Sequence, residues 1–311
     1  MKTPVSRRAF LKFTSGAAVL AGVATLPGCG SSQQDFVFTD AVSGGGGPGP
    51  QPLTFDQQLL EFGSDGAVYR LDQQRFTVAR LDNAGSVIWE VGGLGDDGDG
   101  LFNFPVALAT DSNGLVYVAD RGNGEIDVLD GDGNLVRTFG DESLFIARDM
   151  ALDPVRNRIY VADGPSHHVV VFDLVGNLLA TLGQFGTEED TDLNFPSGIA
   201  LGTNGEVHVV DSGNAEVQVY SADGQFVRVY GERGSKLGQF VIPRAVVVDS
   251  AGHSWVADGV GGFVTQFDPA GVAVTRFVPT LANGAPGQPT YLSLSPSGQL
   301  VVTVVPAFQP A

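Results

Sequence analysis

Short apolar runs of four to seven residues, rich in Val, Ile, Tyr and Phe, recur from about residue 53 to the end of the chain. Turn chemistry such as Ser-Asn-Gly, Asp-Gly-Asn and Ala-Asp-Gly separates them. The runs alternate only partly between apolar and polar, which predicts strands of sheets covered on both faces. No long stretch beyond the N-terminus carries a 3.6-residue apolar period. The predicted fold class is therefore all-β.

The runs come in sets of four. Clear copies cover residues 102–140 and 194–231, and a looser copy runs from Leu144 to Gly183. A later copy spans Gln239 to about Val278, and a degenerate first copy covers about Leu53 to Gly92. The chain ends with half a copy, Pro289 to Val305. Four strands per repeat, at a period in the forties, is the pattern of propeller blades. A lone blade cannot bury both faces, whereas blades packed around an axis do.

Within the copies, Phe-x-x-Pro, a Val/Ile-Ala run, Asp-Ser-x-Gly, Val-Tyr-Val-Ala-Asp, x-Gly-Asn and Val-x-x-Phe-Gly follow one another. This string resembles the NHL repeat, over residues 53–305. The Asn-His position that names the family is poorly kept, with His167-His168 the nearest match. The resemblance implies a six-bladed β-propeller of four-stranded antiparallel blades. Five full copies and a half then require an extra outer strand, and Asp35–Asp40 is the candidate beside the reading that it belongs to a tether.

The N-terminus reads as an address. Ser6-Arg7-Arg8-Ala9-Phe10-Leu11-Lys12 resembles a twin-arginine export signal. The apolar stretch from Phe13 to Leu26 is too short to span a bilayer comfortably, since about 20 residues are needed. Leu26-Pro27-Gly28-Cys29 resembles a lipobox, with Pro27 an unusual occupant. The expected organisation is a signal peptide (1–29) with lipidation at Cys29, a Gly/Pro/Ser-rich tether (30–52), the propeller (53–305) and a tail (306–311). An ordinary secretory signal is the alternative for Arg7-Arg8. The expected location is periplasm or cell surface, with the lipid as the only membrane contact.

Composition adds two exclusions. A single Cys rules out an intramolecular disulfide. The formal charge is −18, and loss of Lys2, Arg7, Arg8 and Lys12 with the signal leaves −22. Such a surface repels phosphate backbones and argues against nucleic-acid binding.

Name the strands of a blade a to d, from axis to rim. The d-to-a and b-to-c loops then share one face of the disc, where binding sites collect on such scaffolds. The position after Pro at the start of strand a reads Gln58, Val106, Arg148, Ser197, Arg244 and Thr290 around the ring, and the next reads Leu59, Ala107, Asp149, Gly198, Ala245 and Tyr291. Arg148 and Arg244 can hold a carboxylate or phosphate bidentately, or Arg148 pairs with Asp149 or a nearby acid. Glu61 stands where other blades carry Ala109, Ala151, Ala200, Val247 and Ser293. It is either a channel-facing carboxylate or a solvated residue of a degenerate blade. Arg148, Asp149, Arg244, Tyr291 and Glu61 form the candidate channel-mouth site.

Metal chemistry has little support. Asp72, Asp120, Asp163, Asp211 and Asp258 end strand b in five blades, as a carboxylate ring around a cation or as caps of their own loops. Gly95-Asp96-Asp97-Gly98-Asp99-Gly100 resembles half of a calcium loop but lacks the bidentate Glu. His167, His168, His208 and His253 lack zinc-site spacing. No cofactor is identified; calcium or another divalent ion stays as the minor alternative.

No nucleophile elbow, phosphate loop or Cys nucleophile is present. The leading expectation is an exported scaffold binding a small ligand, peptide, glycan or envelope protein. One alternative is a metal-assisted lactonase or lyase at the channel mouth, and another is a structural component of an envelope complex.

Overall fold

The computed structural model describes residues 53–56, 58–63, 66–82, 84–95, 101–140, 144, 146–187, 191–281 and 283–306. Arg7, Arg8, Cys29, the tether, the strand expected at 35–40 and residues 96–100 of the Gly/Asp loop lie outside them. Among the described residues no helix is long and apolar enough to cross a membrane.

Among the described residues, five four-stranded antiparallel sheets follow in order along the chain. Their innermost and second strands are Gln58–Phe62 and Val68–Asp72 in blade 1, Pro105–Thr110 and Val116–Asp120 in blade 2, and Ala147–Asp153 and Arg158–Asp163 in blade 3. Blade 4 has Pro196–Leu201 and Val207–Asp211, and blade 5 has Pro243–Val248 and Ser254–Asp258. Each strand a packs against the strand a of the next blade.

The expectation of six four-stranded blades is corrected to five. Between blade 5 and blade 1 lies a three-stranded sheet of Gly287–Leu294, Leu300–Pro306 and Leu53–Asp56. Leu53–Asp56, which the repeats assign to the first blade, instead runs parallel to Leu300–Pro306. The last copy ends after two strands, so an N-terminal strand must cover the edge that would otherwise stay open. Joining Leu53–Asp56 to the last repeat in one sheet closes the ring.

Each interface between neighbouring sheets has its own apolar cluster. Val118 and Leu129 of blade 2 meet Leu59 and Val91 of blade 1, and Val302 and Val304 meet Ala257 and Val264. Similar clusters fill the other interfaces. Strand b is covered on both faces, as the partial alternation predicts: Val116 to Asp120 are all buried. Strand d faces solvent along the rim, with Leu178, Leu179, Val227 and Val274 exposed.

One detail of strand a sets up the site. In blades 2 to 5 and in the closing sheet the pairing shifts by one residue, between Pro105 and Ala107, Ala147 and Asp149, Pro196 and Gly198, Pro243 and Ala245, and Pro289 and Tyr291. The extra residue in each bulge is Val106, Arg148, Ser197, Arg244 or Thr290. A bulge bends the strand and re-aims the side chain of the unpaired residue. Blade 1 pairs regularly from Gln58, without a bulge.

Candidate functional site

The bulged residues, the residues just after them and the first residues of the b-to-c loops surround a cavity of about 500 Å³ at the mouth of the channel. Arg148, Asp149, Arg244 and Tyr291 all line it. Arg121, Ser212 and Gln73 come to it from the b-to-c loops, and Phe195 and Ile242 from the d-to-a connections. Leu59, Val106, Thr303 and Val305 complete the wall.

The cations are supplied by a size exchange between two positions. Blade 2 has a small bulge residue, Val106, and Arg121 after the Asp of strand b. Blades 3 and 5 reverse the order, with Arg148 beside Gly164 and Arg244 beside Gly259. A methyl group at Gly259 would sit 2.6 Å from both Cδ and Nε of Arg244, and one at Gly164 would sit 3.0 Å from Cγ of Arg148. Glycine there leaves the room in which each arginine lies across the loop. Blade 4 carries serine at both positions.

Among the described residues, Arg148 is not paired with Asp149 or with any neighbouring acid. Its Nε is buried without a hydrogen-bond partner. Its guanidinium stacks 4.9 Å from the centre of the Phe195 ring. Burial lowers its pKa, the positive charges of Arg121 and Arg244 lower it further, and Asp163 opposes them. Three guanidinium groups thus share one cavity on a chain whose formal charge is −18. Phe195 holds its ring at the rim from a left-handed backbone conformation, φ 65°, which is costly for a bulky residue. Its N–H donates to His167 Nδ1 at 3.0 Å, anchoring the turn.

Asp149 receives N–H bonds from Met150 (2.9 Å) and from Ile199 of the next blade (3.1 Å). Burial still pushes its carboxyl up to about 7. Glu61 stands opposite Tyr69 as Ala109 stands opposite Tyr117, so the alignment of Glu61 with the alanines of other blades is correct. Its carboxyl is pushed up to about 8, first by burial and then by Asp149. Tyr291 is raised well above its ordinary value by burial, Glu61 and Asp149. Asp149 and Tyr291 line the cavity, whereas Glu61, on the innermost strand of blade 1, is not among its lining residues. Glu61 and Tyr291 are both half-buried.

The carboxylates that end strand b are spent on backbone. Asp120 accepts from Asn103 N and Gly122 N, Asp211 from Asn194 N and Asn214 N, and Asp258 from Ile242 N and Gly261 N. Each ties its own b-to-c loop to the incoming d-to-a connection. The one described acidic group with metal-ligand proximity is Asp120, Glu125 and Asp127, all buried within blade 2. The histidines make separate local contacts: His208 Nδ1 lies 3.1 Å from Tyr230 Oη, and His253 Nδ1 lies 3.2 Å from Asp249.

Sequence reasoning missed Arg121, Ser212 and the paired glycines. The signal was available in the residue that follows the Asp of strand b: Gln73, Arg121, Gly164, Ser212 and Gly259. Its variation mirrors that of the bulge position.

The comparisons with known proteins agree with this architecture. The NHL repeat family model matches residues 102–129 and 193–220, the first three strands of blades 2 and 4. No curated protein sequence matches the chain significantly. Among solved structures, a streptogramin B lyase superposes with a TM-score of 0.60 at 14% identity, covering 79% of this chain and 75% of that one. A catalytically inactive virginiamycin B lyase from Staphylococcus aureus with quinupristin gives 0.58 at 14%, covering 78% and 77%. A nidogen/laminin complex gives 0.57 at 18%, covering 86% and 87%. At these identities the likeness speaks for the fold alone. The chain is an all-β propeller with four-stranded antiparallel blades, and two of those blades carry the NHL repeat.

Proposed function

We propose that this protein is an exported, lipid-anchored binding scaffold whose ligand enters the channel mouth between blades 2, 3 and 5. The observation that carries the reading is Arg148, a guanidinium with a buried unpartnered Nε in a cavity it shares with Arg121 and Arg244. A cation held this way costs stability unless something else gains from it. A propeller mouth offers a rigid ring of loops, and rigid loops suit recognition. The neighbours include both an enzyme and a protein-binding propeller, so the fold does not choose between functions.

The test is ligand-dependent melting of the purified protein, screened with organic acids, sugar acids, peptides and divalent ions. A ligand that binds only the folded state raises Tm. The reading expects a shift that disappears in the Arg148→Ala/Arg244→Ala variant; a shift unchanged by the substitutions contradicts it. The address has its own test. Arg7→Lys/Arg8→Lys should leave the protein in the cytoplasm, and Cys29→Ser should release it from the membrane fraction. Normal export or retention in these variants removes that part of the proposal.

Asp149 and Tyr291 in the mouth, with the raised acid Glu61 on the innermost strand of blade 1, favour a second reading, a lactonase or lyase that uses the same mouth. Two carboxyls that hold protons near neutrality are suited to general acid–base chemistry. Turnover abolished by Asp149→Asn, with or without a tightly bound metal, supports this reading. Absence of both leaves the binding scaffold, with an envelope protein as the remaining class of partner if no small ligand is found.

A further inference from the structure

Resting on the mouth as a binding site, we infer that its ligand is an organic oxyanion, carboxylate or phosphate, that carries an apolar body. The polar groups of the cavity sort into those already used and those left over. Ser212 Oγ lies 2.5 Å from Pro243 O and 2.6 Å from Ser197 Oγ, which is itself 3.0 Å from Arg244 O, so the one proton of each serine goes to a protein oxygen. Thr290 Oγ1 donates to Thr303 O at 3.3 Å. Asp149 already receives two N–H bonds. The serine and threonine hydroxyls are thus turned toward the protein, and Gln73 Nε2 reaches Pro105 O at 3.5 Å.

The charged donor capacity left over is that of Arg121, Arg148 and Arg244. Guanidinium forks match the paired oxygens of a carboxylate or phosphate. Beyond these groups and Gln73, Gln74 and Tyr291, the lining is apolar. Phe195 and Ile242 are 37% and 39% exposed at the rim, and Leu59, Val106 and Val305 continue the surface inward. A water molecule's share of liquid is about 30 Å³, so a cavity of about 500 Å³ holds far more than a small inorganic ion. An anion alone would leave this apolar wall wet, and a hydrocarbon alone would leave the guanidinium groups unpaired. A head on the arginines and a body along Phe195 and Ile242 answers both requirements.

The test is binding of a homologous series to the whole protein by calorimetry: acetate, butanoate, hexanoate and octanoate, the matching alkyl phosphates, inorganic phosphate, and the uncharged amides. The inference expects affinity to rise about two- to fourfold per methylene until the cavity is filled. The amides should bind at least about tenfold more weakly than the acids, a contrast that needs no substituted protein. Ile242→Ser should flatten the dependence on chain length while acetate binding holds. A carboxylate or a phosphate preference names the head and supports the inference either way. Acids that bind equally at every length overturn the inference and leave the mouth as a plain anion site. Amides that bind as well as acids overturn it while leaving the mouth a binding site. No binding by any member overturns the inference, and with no melting shift in the broader screen the small-ligand reading falls too.

Discussion

The two faces of the disc are built by different rules. On the face away from the mouth, the a-to-b and c-to-d hairpins repeat one device. Asp111 receives N–H bonds from Asn113 and Leu115, Asp130 from Asp132 and Asn134, and Asp268 from Ala270 and Val272. A glycine at positive φ closes each turn, as at Gly114, Gly133 and Gly271. The same job is done in blade after blade, so the same residues return. On the mouth face the Asp of strand b, the turn before the strand-a proline and the bulge after it also repeat, but the side chains aimed at the cavity do not. They change from blade to blade, and that variation gathers three arginines, an aromatic rim and a buried acid in one cavity. In this propeller repetition marks structure, and its failure marks the candidate site.

The largest effect should follow from breaking a repeated residue of the mouth face. Asp211→Ala removes acceptors from Asn194 N, Asn214 N and Asn214 Nδ2 in a buried loop. Urea unfolding should show a loss of about 2–4 kcal/mol.

Next comes the acid on the innermost strand of blade 1. Folded Glu61 holds its proton to about pH 8, whereas its ordinary value is 4.5. Between these values the folded state binds more protons, so the stability of this group falls as pH rises through that window. Asp149 acts in the same direction between 3.8 and about 7. Glu61→Gln should therefore stabilise the protein at pH 8 by on the order of 1–3 kcal/mol, a range that allows for channel water, and should change it little at pH 4. Equal effects at both pH values would show that Glu61 titrates normally.

A repeated residue of the far face sharpens the contrast. Asp130→Ala should cost about 0.5–1 kcal/mol in the same unfolding measurement, with ligand-dependent melting unchanged. The smallest stability effect should come from Arg148→Ala. It relieves the repulsion from Arg121 and Arg244 and removes an unpartnered Nε, while losing the stacking on Phe195. The net change should stay within about 0.5 kcal/mol of zero. A loss of about 2 kcal/mol or more would make Arg148 a structural residue.

The fold was legible because blades repeat, and repetition survives in the apolar runs even where the residues drift. The four-stranded pattern and the positions around the mouth could be read from Phe-x-x-Pro and Val-Tyr-Val-Ala-Asp alone. The half copy and its need of an outer strand were legible too, but which segment supplies that strand was not. Leu53–Asp56 pairs with residues some 250 positions away, and nothing local in Leu-Thr-Phe-Asp distinguishes an innermost strand of blade 1 from an outer strand elsewhere. The bulges were equally hidden, since a one-residue shift in pairing leaves no mark on the sequence of either strand. Arg148 and Arg244 were found because they break a column of small residues. Arg121 was missed because it stands in a different column, and only the fold brings the two columns to one cavity.

The most direct test of the central claim is titration of one organic acid, octanoate, into wild type and into the Arg148→Ala/Arg244→Ala variant. The account predicts saturable one-to-one binding to the wild type and at least about a hundredfold loss in the variant, as expected when two charge-assisted contacts go together. Equal affinity for both proteins would contradict it, because the unpaired guanidinium groups would then have no part in what the mouth binds.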